Sequence, residues 1–222
     1  MRTIAVMNGK GGAGKSTLAT ALAAEYQRQG AQCLLVDADA PQFTALRWAK
    51  SGDSGVTAVA VADLSDIGRL ATGYDVTIID TPGRDDRQDM GGAGIVRTCM
   101  MIADLALVPC QPTPADVWAT ADILATLRRA QGLRPGLRAS VVLNRLDPRT
   151  AYSRAVRETL EQSASVCTAS LHQRVDFAAS MAAGQGPTTY APGSKAAAEV
   201  RALFEEIQNA AEEANAPVPV VA

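Results

Sequence analysis

Short apolar runs recur along the chain at Thr3–Met7, Cys33–Val36, Val56–Val61, Val76–Ile79, Leu105–Val108 and Ala139–Leu143. They are nearly continuous rather than alternating, the pattern of strands buried on both faces of a sheet. Between them lie helical stretches: Ser16–Gln29, Phe43–Lys50, Asp63–Ala71, Gly94–Ile102, Ala115–Gln131 and Ala151–Ser163. Gly30 and Gly132 stand where two of these helices should stop. The last third reads as two more helices, Val175–Ala183 and Ser194–Ala214, separated by the connector Gly184-Gln185-Gly186-Pro187. This alternation predicts an α/β fold, a mostly parallel twisted sheet flanked by helices on both faces. One domain over residues 1–214 is expected, with 215–222 as a flexible C-terminal tail.

The turn after the first strand carries the chemistry. Gly9-Lys10-Gly11-Gly12-Ala13-Gly14-Lys15-Ser16-Thr17 satisfies G-x-x-x-x-G-K-[ST], a phosphate-binding loop between strand and helix. Its glycines free the backbone to point N–H groups at phosphate oxygens, and the following helix aims its positive end at the same anion. Gly11, Gly12, Ala13, Gly14, Lys15, Ser16 and Thr17 are therefore candidate nucleotide-binding residues. Lys15 is placed to reach the β- and γ-phosphates, and the Ser16 hydroxyl to ligate Mg²⁺.

Lys10 adds a second lysine to the loop. The run Lys10-Gly-Gly-Ala-Gly-Lys-Ser-Thr17 resembles the deviant Walker A motif, K-G-G-x-G-K-[ST]-T, of the ParA/MinD superfamily of ATPases. The resemblance implies the P-loop NTPase fold and a nucleotide-sandwiched homodimer. In such a dimer Lys10 crosses the interface to the partner's phosphates, so Lys10, Lys15 and Asp39 become the candidate catalytic residues.

In a doubly wound sheet, ligands bind beyond the carboxyl ends of the strands. After the second run comes Asp37-Ala38-Asp39-Ala40-Pro41-Gln42, similar to the family's D-x-D-P-Q segment but with Ala40 between the second aspartate and the proline. The resemblance puts Asp37 near Mg²⁺ and makes Asp39 the group that positions or deprotonates the attacking water. A solvated acidic turn is the plainer alternative. After the fourth run comes Asp80-Thr81-Pro82-Gly83, an apolar strand ending in the carboxylate of a Walker B site. Asp80 joins Ser16 and Asp37 as a metal candidate, and the Gly83 N–H is a candidate γ-phosphate contact. Arg84–Asp89 would then form a nucleotide-sensing switch, with Arg84 and Arg87 either catalytic fingers or solvated loop charges. After the sixth run comes Asn144-Arg145-Leu146-Asp147. An asparagine here reads the adenine edge in the ParA/MinD family, and its amide offers a donor beside an acceptor. The same four residues approximate a guanine-reading pattern, so GTP stays open beside ATP.

Composition narrows the partners. The chain has 222 residues, 47% hydrophobic, with a formal net charge of −2, so any nucleic-acid surface must be a local patch. Such a patch exists: eight arginines lie between Arg128 and Arg157 against one carboxylate, Asp147. With Tyr152 the only evident stacking partner, phosphate contact is expected rather than base reading. Arg145, Arg149, Arg154 and Arg157 are the candidate DNA contacts, with Arg174 and Lys195 added by resemblance to the ends of small ParA-type ATPases; a solvated face is the alternative. The four cysteines are scattered and read as buried thiols, and His172, the only histidine, as incidental.

No leader-like or bilayer-length apolar segment stands out, so cytoplasmic residence is expected, and the resemblance to small ParA-type ATPases implies nucleoid association. The loop begins almost at residue 1, which suggests the short partition type without its own operator-binding domain. The resemblance as a whole implies a weak Mg-dependent ATPase of the small ParA type. Its ATP dimer would bind DNA without sequence preference, and a ParB-like or cargo-adaptor partner would stimulate hydrolysis and drive partitioning. The alternatives are a MinD-like positioning ATPase and a metal-cluster carrier with Cys99 and Cys110 as ligands. A basic membrane helix is disfavoured by Glu205, Glu206, Glu212 and Glu213 near the end.

Overall fold

The computed structural model describes residues 2–83, 93–147 and 149–215. Six strands form one sheet: β1 (Arg2–Val6), β2 (Cys33–Asp37), β3 (Thr57–Ala60), β4 (Val76–Asp80), β5 (Leu105–Cys110) and β6 (Arg138–Leu143). Every pairing is parallel, in the order β3-β2-β4-β1-β5-β6.

The continuous apolar runs divide by strand alternation between two cores. Ile4, Val6, Leu35, Ile78 and Leu107 face one layer, made by α1 (Lys15–Arg28), α2 (Thr44–Ser51) and, later in the chain, α7 (Val175–Ala182), α8 (Pro187–Tyr190) and α9 (Lys195–Asn215). Ala5, Met7, Val36, Ile79 and Val108 face the other, made by α3 (Ile67–Leu70), α4 (Ala93–Ile102), α5 (Pro114–Leu133) and α6 (Ala151–Glu161). A strand buried on both sides has no polar face to alternate, which is why its sequence reads as an unbroken run.

The boundaries follow local chemistry. Helix α1 stops at Gln29, and Gly30 takes the left-handed φ of 88° expected of a residue just past a helix end. Helix α5 starts at a capping turn: Pro114 occupies its first position, and the Thr113 hydroxyl accepts the Asp116 N–H at 3.2 Å. It runs through Gly132 to Leu133, two residues beyond the stop expected at Gln131. Helix α3 shrinks to one turn within the expected 63–71 span. Directly after the expected connector Gly184–Pro187 the chain adds an unexpected turn, α8, started by Pro187 and docked on α1 and α9. Of the tail expected at 215–222, Asn215 instead closes α9, and 216–222 lie outside the described residues.

Leu107 of β5 is wholly buried between β1 and β6. Leu107→Ala should cost about 3 kcal/mol of unfolding free energy, read by urea denaturation. A loss under about 1 kcal/mol would mean that this strand does not carry the core.

Candidate nucleotide-binding site

The loop between β1 and α1 is held open by its own backbone and by its neighbours. Gly12 and Gly14 have φ of 80° and 101°, and a Cβ on Gly14 would come within 2.0 Å of Asn144 Nδ2. Only glycine satisfies both demands. Buried Asn8 braces the loop's entrance, donating to the Pro109 carbonyl at 2.8 Å and accepting the Lys10 N–H at 2.9 Å. Lys15 is 6% exposed, and its ammonium donates to the Lys10 carbonyl at 3.1 Å. Burial pulls its pKa below the usual lysine value, against the attraction of Asp80 and Asp39. A desolvated cation at the mouth of a ring of N–H groups suits a phosphate chain. Lys10 also turns inward, its ammonium 2.5 Å from Oδ2 of the fully buried Asp116.

Below the loop lie two carboxylates. Asp37 and Asp80 end adjacent strands as register partners, both fully buried. Asp37 accepts the Asp39 N–H at 3.1 Å and the Leu46 N–H at 2.9 Å, which ties the start of α2 to the site floor. Both Asp80 oxygens are buried, and neither meets a hydrogen bond of good geometry although the Ser16 hydroxyl is nearby. Burial pushes this carboxyl from 3.8 up to about 7, helped by Asp37 and Asp39 and opposed by the Ser16 hydroxyl and Lys15. An orphaned carboxylate beside a second carboxylate and a hydroxyl fits a hard divalent cation with oxygen ligands. Asp80 and Ser16, with Asp37, would hold Mg²⁺, which supplies charge neutralisation and orientation for the phosphates. Asp39 stands half-buried on the rim, within electrostatic reach of Lys15 and Asp80.

Gly83 lies against the loop: a Cβ there would stand 3.0 Å from Gly11 Cα and 3.2 Å from Lys15 Nζ. Its N–H is thus in the neighbourhood where a terminal phosphate would sit. Arg84–Asp89, with the candidate fingers Arg84 and Arg87, lie outside the described residues.

On the far side of the loop, a cavity of about 200 Å³ is lined by Thr17, Asn144, Arg145, His172, Phe177 and Met181, among others. It joins a polar rim to an apolar wall, as a nucleobase requires. Asn144 is 6% exposed and already engaged, donating through Nδ2 to the Ala13 carbonyl and accepting the Arg145 N–H, both at 2.9 Å. It braces the loop where the loop borders the cavity. His172 is not incidental: its Nδ1 lies 2.8 Å from Glu199 Oε1, which also accepts from Arg174 Nε at 2.7 Å. The sequence reading passed over Asn8, Asp116 and Glu199, and it took Arg174 as a DNA candidate and His172 as incidental without seeing that Glu199 joins them.

The arginine-rich segment does not present one free face. Arg157 donates to Ser170 Oγ at 2.7 Å and to the Cys167 and Thr168 carbonyls, so it pins the loop after α6 rather than waiting for phosphate. Arg149 pairs with Asp147 at 2.8 Å, Arg174 with Glu199, Arg134 with Asp104 at 3.0 Å. Arg145, Arg154 and Lys195 are exposed, and no side-chain polar contact holds them among the described residues. All four cysteines are buried, and burial pushes the Cys33 and Cys99 thiols up to about 12. Buried inert thiols leave Cys99 and Cys110 poorly placed to share a cluster between subunits. Among the described residues no helix is long and apolar enough to cross a membrane.

Residues 4–188 match the CobQ/CobB/MinD/ParA nucleotide binding domain. The chain belongs to this family. It is 30% identical over 214 residues to maintenance of carboxysome distribution protein A of Halothiobacillus neapolitanus, covering 92% of this chain and 95% of that one. It is also 31% identical over 122 residues to protein ParA of Rhizobium radiobacter, about half of each chain. Among solved structures, the septum site-determining protein MinD of Pyrococcus horikoshii, complexed with Mg-ADP, superposes with a TM-score of 0.72 at 20% identity, covering 95% of this chain and 97% of that one. The ParA/MinD nucleotide-binding ATPase fold is therefore the frame for the site above.

The raised Asp80 pKa makes a stability prediction. The fold holds this proton more tightly than the unfolded chain does, so stability is lost as pH rises from about 4 through 7. Asp80→Asn, which carries no charge, should stabilise the nucleotide-free protein by roughly 2–4 kcal/mol at pH 8 and by almost nothing at pH 4, read by denaturant titration. A gain independent of pH would show that the carboxylate's charge is not the cost.

Proposed function

We propose that this protein is a Mg-dependent cargo-positioning ATPase of the small ParA type. Residues 1–214 would act as one nucleotide-switching domain. The observation that carries this reading is the complete K-G-G-x-G-K-S-T loop in a chain matched over nearly the whole length of a carboxysome-distributing relative. Arrangement of the site supports the chemistry. Lys15 and the loop N–H groups hold the β- and γ-phosphates, and Asp80, Ser16 and Asp37 hold Mg²⁺. Asp39 orients a water for in-line attack on the γ-phosphorus, giving ADP and inorganic phosphate. Among the described residues Asp39 is the general base placed at the rim of the site; turnover is slow and the enzyme works as a timer. Thr17, Asn144 and the cavity beside them receive the base of ATP.

ATP then joins two subunits through Lys10, and the dimer binds DNA without sequence preference. Arg145, Arg154 and Lys195 are the DNA contacts favoured by exposure; Arg149 and Arg174 are secondary because each has a carboxylate partner. Arg157 is withdrawn from that set. A ParB-like or cargo-adaptor partner stimulates hydrolysis and releases the dimer, so that the protein distributes its cargo over the nucleoid in the cytoplasm. The cargo is a protein assembly, as the carboxysome relative suggests, or a DNA molecule, as the ParA relative suggests.

The deciding experiment is binding to random-sequence duplex DNA at near-physiological salt with ATP, ADP or no nucleotide. Binding is expected with ATP alone, lost in Lys10→Ala, and weakened at least tenfold in Arg145→Glu/Arg154→Glu, whose ATP affinity should hold. No binding in any state sinks the DNA reading. Asp39→Ala should lower phosphate release by about a hundredfold or more while ATP binding persists, and undiminished turnover would remove Asp39 from its role.

A further inference from the structure

The helix that follows the carboxylates is fastened at both ends to other elements. At its start, α2 is tied to the site floor: the Leu46 N–H donates to Asp37 Oδ2 at 2.9 Å, and the N–H of the capping residue Phe43 donates to the Asp39 carbonyl at 3.0 Å. At its other end α2 meets the corner that follows α7. The buried Trp48 sends its indole N–H to the Gln185 carbonyl at 3.1 Å. Gly52, which ends α2, and Gly184 lie backbone against backbone: a Cβ on Gly52 would strike the Ala183 carbonyl, and one on Gly184 the Gly52 amide. The eight residues of α2 span about 12 Å between these attachments.

The corner is continuous with the cavity beside the phosphate loop. The N–H groups of Ala183, Gly184 and Gln185 donate to the carbonyls of Ala179, Met181 and Ser180, which closes the corner onto α7. Phe177, Ala178 and Met181 of α7 form one wall of the cavity, and the Thr17 hydroxyl lies 3.9 Å from Met181 Sδ. A ligand that seats α7 thereby seats the Gln185 carbonyl, and α2 is fastened to that carbonyl. The three move together or leave a buried indole N–H unpaired, which is unfavourable.

We propose that Trp48 is a positioning residue that couples the filled base cavity to the carboxylate loop. A nucleobase held against α7 sets, through Trp48 and α2, the place of Asp39 at the γ-phosphate. This inference rests on the roles of the cavity and of Asp39 proposed above. Trp48 does not line the cavity, so it acts only through the helix that carries it. A triphosphate without a base fills the phosphate loop but leaves this setting unmade, and it is turned over slowly although its phosphate chain is the same.

The test compares ATP with inorganic tripolyphosphate, both with Mg²⁺, on the full chain. Two variants cut the link independently: Trp48→Phe removes the indole donor and keeps most of the apolar body, and Gly52→Ala parts the two backbones. Wild type should turn over ATP at least about tenfold faster than tripolyphosphate. Each variant should lose most of that advantage, with kcat for ATP down about tenfold, ATP affinity within about twofold, and tripolyphosphate turnover unchanged. Hydrogen exchange over residues 44–51 gives a reading that needs no catalysis. In wild type it should slow severalfold with a non-hydrolysable ATP analogue and not with tripolyphosphate, and the difference should vanish in both variants. If Gly52→Ala folds poorly, Trp48→Phe carries the comparison alone. An equal fractional loss on the two substrates would make Trp48 a packing residue and overturn the proposal, as would a Trp48→Phe protein that keeps the full ATP advantage. If wild type treats the two alike in turnover and exchange, the coupling falls while the ATPase reading stands. If it hydrolyses neither, the ATPase reading falls and exchange alone decides the coupling.

Discussion

The site is organised by two buried carboxylates that cannot be separated. Asp37 and Asp80 end neighbouring strands of a parallel sheet in matched register, so the fold that pairs β2 with β4 also brings like charges together. Backbone N–H groups relieve Asp37; Asp80 has no such relief and is pushed toward neutrality. Lys15, itself desolvated, stands above them. This floor is unfavourable when empty and becomes favourable when a divalent cation and a phosphate chain complete its charge balance. The sheet, buried on both faces, supplies the stability that lets such a floor persist.

The same constraint explains why so much of the loop is braced from outside. A ring of N–H groups facing inward cannot satisfy itself, so its outer carbonyls are held by other elements. Asn144 at the end of β6 takes the Ala13 carbonyl, Lys15 takes that of Lys10, and Gln111 donates to that of Gly12 at 2.5 Å. Gly14 has no room for a side chain because Asn144 stands there, and Gly83 has little because Gly11 does. The strand ends β1, β4, β5 and β6 thus all meet at the loop, and the position of each depends on the others.

The fold and the candidate phosphate loop were legible because both are written in local pattern. Continuous apolar runs mark the strands, and the loop motif is contiguous, so one pass along the chain finds them. What stayed hidden are pairings between distant side chains: Lys10 with Asp116, His172 with Glu199, Arg157 with the loop after α6. An arginine count reports charge without reporting whether that charge already has a partner, and in the fold several of the eight do. His172, alone of its kind, gave no pattern to read until Glu199 and Arg174 stood beside it. Helix α8 was missed for a different reason: a single turn begun by Pro187 is decided by docking on α1 and α9, and local propensity alone does not reveal it.

The long-range pairs divide the molecule's cations into two kinds. Arg134, Arg149, Arg157 and Arg174 are held by carboxylates or carbonyls and stiffen the segments that frame the site. Arg145, Arg154 and Lys195 stay open to solvent. Lys10 belongs to neither group, since its partner is fully buried while it remains partly exposed. Arg28, 39% exposed on the fully buried Glu25, shares that asymmetry, so it is the place of Lys10 at the mouth of the phosphate loop that sets it apart. The nucleotide site therefore combines a buried floor, whose charge imbalance favours ligand, with a partly exposed cation at its mouth whose counter-charge is rooted in α5.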